Sequence, residues 1–324
     1  HHIANNGLMK HIIGSGDAVP HYGKHTINIL GEYNIGGDGW ETSRVLKRIG
    51  YEVLNVFTGD GSYEGIKDSH IADLNLVMCH RSINYIAEMM KTKFGIDWLK
   101  VNFIGVEETI RSLRELAMYF DDPIITAKTE EVIADEYAAI AGDMRFYKEK
   151  LTGKTAGIFT GGSRTHHYQA LLNDLGIKTV IGGYEFAHRD EYEGREVIPN
   201  IKLDADSKNI EEITVSKDDA KYRLVIDRER FEELKDKIEL EEYKGMFRDM
   251  GAGTITLDDF NHYETEKVIE MFKPDIFYSG IKDKYVILKA GIPSRQLHSY
   301  DYSGPYSCFQ GALNFARDSY MAIY

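Results

Sequence analysis

The chain has 324 residues, with 52 acidic against 39 basic side chains and a formal net charge of −13. That balance argues against nucleic acid as a partner, because no basic stripe exists to neutralise phosphates. No apolar run approaches the roughly 20 residues of a membrane span, so no membrane association is expected either. A length of this order suggests two domains, large enough to bury a core without a disulfide or metal staple. Cys79 and Cys308 are the only cysteines. They are too few for a disulfide framework, which points to a reducing, cytoplasmic setting, and no signal peptide is visible.

Strand-like and helix-like segments alternate along the chain. Ile27–Gly31 reads as a strand and Trp40–Ile49 as a helix; Glu52–Phe57 follows as a strand and Tyr63–Ala72 as a short helix. Leu74–Cys79 is the next strand, and Ser82–Phe94 a helix with apolar Ile83, Ile86, Met89 and Met90. A short strand at Val101–Ile104 leads to the helix Glu107–Tyr119, and a long helix, Glu130–Leu151, suits a connector. The pattern restarts with strand Ala156–Thr160, helix His167–Leu175, strands Thr179–Gly182 and Thr254–Leu257 and helix Tyr263–Phe272. Strand Asp275–Tyr278, helix Lys282–Lys289, strand Ser294–Leu297 and helix Tyr306–Tyr324 complete it. Such alternation predicts an α/β fold: two Rossmann-like domains with parallel sheets flanked by helices. The expected boundaries are 1–152 and 153–324, with a charge-rich insertion at about 202–250 read as a solvated periphery.

The residues that carry chemistry cluster at carboxyl ends of predicted strands, where open α/β sheets form their crevices. Tyr33–Asp38 follows the first strand. Cys79-His80-Arg81-Ser82 follows the third, with basic neighbours that favour the thiolate, the form that binds metal. In the second half the same place is taken by Gly161-Gly162-Ser163-Arg164, Tyr184–His188, Ser279–Lys282 and Gln296–Tyr300. Glycines and polar residues mark any strand-to-helix turn. Six such turns carrying a Cys, several His and three cations point beyond turn chemistry.

Common signatures do not account for them. Asn34–Asp38 lacks the full dinucleotide glycine spacing, and Gly153-Lys154-Thr155 precedes a strand and lacks the upstream glycine of a P-loop. His166 and His167 are adjacent at a helix start, so their side chains are expected to diverge, which argues against zinc. Cys79 and His298 could share a ligand only from two domains.

Read together, the motifs resemble the α subunit of the nitrogenase molybdenum–iron protein. The matching pieces are Gly31–Asp38 (GEYNIGGD), Phe57–Ser62 (FTGDGS), Leu74–Tyr85 (LNLVMCHRSINY), Gly161–Arg164, Tyr184–His188, Gly280–Tyr285 (GIKDKY) and Gln296–Tyr306 (QLHSYDYSGPY). The opening HHIAN matches as well, so His1 and His2 read as native. The charged segment after Pro199 is similar to an insertion in the clostridial type of this subunit. The resemblance implies a cofactor site at the interface of the two domains, and roles for its residues. Cys79 matches the ligand of the terminal iron, and His298 the ligand of molybdenum, in the iron–molybdenum cofactor, an iron–sulfur cluster with molybdenum and homocitrate. Lys282 matches a lysine near homocitrate. Gly161, Gly162 and Arg164 match the loop and cation against the cofactor's sulfides. Arg81 and Ser82 follow the Cys ligand, Arg81 on the substrate approach. His1 matches a histidine that donates to a sulfide and relays protons. Glu185 and Phe186 match positions surrounding the cofactor.

Two departures accompany the match. Asp283 stands where a Glu is common, which implies a less direct homocitrate contact. The stretch carrying the α-subunit ligands of the P-cluster, and a Gln that contacts homocitrate, has no counterpart here. The chain therefore matches a C-terminal portion, expected to be inactive alone. The implied reaction is reduction of dinitrogen to ammonia. The implied partners are the β subunit, in a heterotetramer of two α and two β subunits, and an ATP-hydrolysing iron protein. The alternatives are the related cofactor-assembly scaffold, which lacks the molybdenum-binding His, and vanadium or iron-only α subunits, which Arg164 in GGSR and the HHIAN opening disfavour. A plain small-molecule-binding α/β module is the remaining alternative, from another class.

Overall fold

The computed structural model describes residues 2–161, 164–185, 213–245, 252–259, 261–297 and 300–324, with the backbone alone at His2, His80, Arg81, Tyr184 and Glu185. Strands β1 (Thr26–Glu32), β2 (Glu52–Thr58), β3 (Leu74–Val77) and β4 (Trp98–Lys100) form a parallel sheet in the order β2-β1-β3-β4. Strands β5 (Thr155–Gly161), β6 (Lys178–Glu185), β7 (Ile255–Asp258), β8 (Ile276–Ser279) and β9 (Ser294–Gln296) form a second parallel sheet, ordered β7-β6-β5-β8-β9. The helices are α1 (His2–His11), α2 (Asp38–Ile49), α3 (Tyr63–Asp68), α4 (His80–Phe94), α5 (Val106–Phe120), α6 (Pro123–Leu151), α7 (Arg164–Asp174), α8 (Arg228–Lys235), α9 (His262–Phe272), α10 (Lys284–Lys289) and α11 (Cys308–Ile323). Every residue of β1 and β3 is buried, as expected of parallel strands covered on both faces.

The strand order reverses once in each sheet, between β1 and β3 in the first and between β5 and β8 in the second. Such reversals open a crevice at the carboxyl ends of the strands, because the connections leave to opposite faces. These two points receive most of the residues singled out above.

Local chemistry explains several boundaries. The Asp122 carboxylate accepts from the backbone N–H of Ile124 and Ile125, and Pro123 occupies the first helical turn, so α6 starts before the expected residue 130. Ser62 caps α3, and the expected helix Tyr63–Ala72 is broken into α3 and a 3-10 turn at Ser69–Ile71. The apolar run Val101–Ile104 is not a strand. The strand lies before it at β4, and the run is a buried loop held by Asn102, whose side chain accepts from Ile104 N at 2.9 Å. Cys79 is not in β3 but is the residue before α4. The last helix begins at Cys308, because Tyr306 N and Ser307 N donate instead to Asp38.

The charge-rich insertion is not a solvated periphery over its described part, 213–245. Phe231, Leu234, Ile238, Leu240 and Tyr243 are buried. Leu240 pairs antiparallel with Leu99 at the open edge of β4, with Lys100 N donating to Glu239 O and Glu241 N to Trp98 O. The segment thus covers an edge that would otherwise expose unpaired backbone groups. Arg223 holds Asp73 and the carbonyls of Ile71 and Ala72, and Lys221 donates to Gly16 O at 2.8 Å.

Candidate functional site

The first reversal places Cys79 beside the end of β1. Its side chain is 5% exposed. Gly31 has φ +81°, and a Cβ there would lie 2.7 Å from both Cys79 Cβ and Cys79 N. Only glycine tolerates that backbone together with that approach. Ser82, in the first turn of α4, accepts from the Tyr33 hydroxyl, and its carbonyl accepts from Asn5 Nδ2 at 3.1 Å, which ties α1 to the Cys79 turn. Burial, followed by the charge of Cys79, raises the Tyr33 hydroxyl well above its usual range, so it remains a neutral donor.

The second reversal contributes Gly161, the last residue of β5, and Arg164, the first described residue of α7. Arg164 Nη2 lies 3.4 Å from both oxygens of Glu32, the last residue of β1 and fully buried. This ion pair bridges the two reversals. Burial works against the Arg164 charge, but Glu32 and the surrounding tyrosine and Asp38 groups hold its guanidinium well above the ordinary value. Arg164 Nη1 is buried with no hydrogen-bond partner among the described residues.

A second buried network fastens residues 300–307 to the start of α2. Asp38 accepts from Tyr300 Oη at 2.5 Å, Tyr306 N at 2.8 Å and Ser307 N at 2.9 Å, and Tyr168 Oη donates to Tyr300 Oη at 2.9 Å. Burial and the neighbouring Glu32 charge push the Asp38 carboxyl up to about 6. Gly36, at φ +65°, admits the Tyr300 ring where a Cβ would stand 2.6 Å away. The motifs at 31–38 and 296–306 therefore dock on each other.

Lys282 and Asp283 lie in the turn after β8, before α10, so Lys282 does not begin a helix as expected. Lys282 is exposed; Asp283 is buried and lies 3.2 Å from His262 Nε2. Arg81 sits in the first turn of α4, and Glu185 pairs with Gly161 in the β5–β6 ladder. His1, Gly162, Phe186 and His298 lie outside the described residues. The adjacent His166 and His167 do not diverge; both are buried and their ring centroids are 4.3 Å apart, because α7 packs both inward. Among the described residues no cluster of three or more His, Cys, Asp or Glu is arranged to hold a metal, and no helix is long and apolar enough to cross a membrane.

The model of nitrogenase component 1 type oxidoreductases matches residues 1–324. The chain belongs to the nitrogenase component 1 oxidoreductase family. It is 56% identical over its whole length to the nitrogenase molybdenum–iron protein alpha chain of Clostridium pasteurianum, and 52% identical to that of Methanosarcina barkeri. Identity to the alpha chain of Azotobacter vinelandii is 35%, again over the whole chain. The solved structure "Nitrogenase Cp1 at pH 6.5" superposes with a TM-score of 0.96 at 56% identity, covering 100% of this chain and 62% of that one. The chain spans about 60% of the length of the Clostridium and Methanosarcina relatives. The family and fold expected from the motifs are both met.

For a member of the nitrogenase component 1 family, the sequence reading left several structural residues without roles. Glu32 and Asp38 both lie inside the quoted GEYNIGGD motif, and Tyr300 inside QLHSYDYSGPY. Their signal was an acidic residue at each end of a glycine-rich turn. Their partners, Arg164 and the 300–307 loop, are too distant in sequence for spacing to connect them. Lys100 gave no signal beyond a charged residue between apolar runs.

Proposed function

We propose that this chain is the cofactor-bearing portion of the α subunit of a molybdenum–iron nitrogenase, and that the complete protein reduces dinitrogen to ammonia while also reducing protons. The observation that carries this reading is a buried thiol, Cys79, at one strand-order reversal and, at the other, a buried guanidinium whose Nη1 lacks a partner among the described residues, the two reversals being joined by the Arg164–Glu32 ion pair. An unpaired buried donor costs about 1–3 kcal/mol, more for a charged group. An anionic occupant of the crevice would remove that cost. A thiolate is a soft ligand suited to an iron–sulfur centre, so the residues present fit an iron–molybdenum cofactor.

In this reading Cys79 and His298 would be the metal ligands, and Arg164 would donate to the anionic cluster. Gly161 and Gly162 would take the family's role of the glycines in the loop against the cluster. Ser82, Glu185, Phe186, Lys282 and Asp283 would take the family's cofactor-surround roles, the last two those associated with homocitrate. His1 would take the role of proton relay, and Arg81 that of the cation on the substrate approach. The cofactor supplies the multi-electron reduction chemistry when bound; the chain supplies shape, charge and proton donors. The segments 1–152 and 153–324 act as two walls, carrying the Cys and His ligands respectively. The partners are a β subunit, with which the full-length subunit shares a P-cluster, and a cytoplasmic ATP-hydrolysing iron protein as electron donor.

The test uses the full-length subunit assembled with its β partner. Cys79→Ala and His298→Ala should each lower molybdenum and iron content and acetylene reduction by roughly tenfold or more. Retention of wild-type metal content and activity in either variant would show the ligand assignment to be wrong.

A further inference from the structure

Lys100 ends β4 and is 2% exposed. Its Nζ donates to Met78 O at 2.9 Å and Val101 O at 3.4 Å, and lies 2.9 Å from His167 Nε2. Its backbone N–H donates to Glu239 O. One residue thus joins the carbonyl immediately before Cys79, the helix that begins with Arg164, and the segment covering the β4 edge. Among the described residues no carboxylate forms an ion pair with Nζ; its acceptors are two backbone carbonyls and an imidazole. Burial lowers His167 well below its ordinary value, so the ring is neutral and accepts at Nε2. His167 Nδ1 then carries the proton and has no partner among the described residues.

A buried ammonium facing only neutral acceptors is costly. Burial accordingly lowers Lys100 to about 7, while the charges of Glu239 and Cys79 act in the opposite direction. An anionic group held by Cys79 would add to that opposing attraction and favour the charged form. Negative charge on the Cys79 side of the Met78–Cys79 peptide would add to the compensation that Glu239 already supplies.

We infer that Lys100 is a positioning residue for Cys79: it fixes the Met78–Cys79 peptide by a hydrogen bond and sets a buried positive charge behind the metal-binding sulfur, raising the reduction potential of the group bound there. The inference rests on the reading of Cys79 as a ligand of an iron–sulfur cofactor. Hydrogen bonds and charge around ligating sulfurs tune such potentials. Reduction adds negative charge to the cluster, so a nearby cation stabilises the reduced form more than the oxidised one. Removing the cation lowers the potential.

The experiment compares the assembled full-length holoprotein with its Lys100→Met, Lys100→Gln and Lys100→Arg variants. Iron and molybdenum content are measured, and the cofactor's EPR signal is followed through a redox titration. Met and Gln should move the potential negative and alter the EPR line shape, while Arg should retain both. Gln keeps an amide donor for Met78 O, so it isolates the charge if Met disturbs packing. Loss of cofactor in Met and Gln but not Arg would also support the role. Wild-type potential and line shape in Met and Gln, or equal loss of cofactor in all three, would overturn it. Absence of any cofactor signal in the wild-type holoprotein, or its persistence unchanged in Cys79→Ala, would instead reject the underlying functional reading.

Discussion

Gly31→Ala tests how tightly the fold presents Cys79. The substitution meets two separate penalties. At φ +81° a non-glycine residue costs roughly 1–2 kcal/mol. The new methyl would also stand 2.7 Å from Cys79 Cβ and N and 3.1 Å from Cys79 Cα. Two of those three atoms are backbone, so rotamer change cannot relieve the clash, and overpacking adds about 1–3 kcal/mol. The sum, roughly 2–5 kcal/mol, falls on the turn that carries the thiol. Gly23→Ala is the control: φ is +76° there, but nothing lies within 4 Å of the added carbon, so only the backbone penalty applies. In the assembled full-length protein, Gly31→Ala should lose iron and molybdenum while keeping its far-UV circular dichroism. Gly23→Ala should lose a little stability and no metal. Wild-type metal content and EPR signal in Gly31→Ala would refute the claim that the β1 end positions Cys79.

Other consequences follow from the buried charges. Arg164→Met strands the fully buried Glu32 and should destabilise by about 3–5 kcal/mol in denaturant titration. Adding Glu32→Met should recover most of that stability without restoring cofactor; a double variant no more stable than the single would contradict the pairing. Asp38→Ala removes the acceptor shared by Tyr300, Tyr306 and Ser307, and should speed amide exchange across 303–308 by roughly tenfold or more. Unchanged protection there would show that the loop is held by something else. Asp174 accepts from Val106 N at 3.0 Å, and burial raises its carboxyl from 3.8 to about 6. The folded state therefore binds the extra proton at Asp174 between about pH 4 and pH 6, and the contribution of this group to stability is lost as pH rises through that window. Relative to Asp174→Asn, the denaturation midpoint of the wild type should fall from pH 4 to pH 7; a constant difference would refute the assignment.

The parallel sheets were legible because their strands are short buried apolar runs between helical patterns, and because the polar residues fall after those runs. The sequence reading failed where burial and charge disagree. Lys100 is a buried strand end, and its charge displaced the expected strand onto the apolar loop Val101–Ile104. In the insertion, Phe231, Leu234 and Ile238 recur at helical spacing, but the surrounding acids and bases obscured a face that packs inward. Helix α1 was missed because apolar residues are sparse in it: Met9 is buried, whereas Ile3 is exposed. At the site, position after a strand drew attention to Cys79 and Arg164. The Arg164–Glu32 and Asp38–Tyr300 contacts depend on how two sheets face each other, which no local pattern encodes. The individual site roles came from the family resemblance rather than from residue spacing.

The most direct measurement is anomalous diffraction from crystals of the assembled full-length protein, collected at the iron and molybdenum absorption edges. The account predicts an iron peak within bonding distance of Cys79 Sγ and a molybdenum peak within bonding distance of His298, with Arg164 facing the density between them. A crevice without anomalous density beside Cys79 in an active, metal-replete preparation would contradict it.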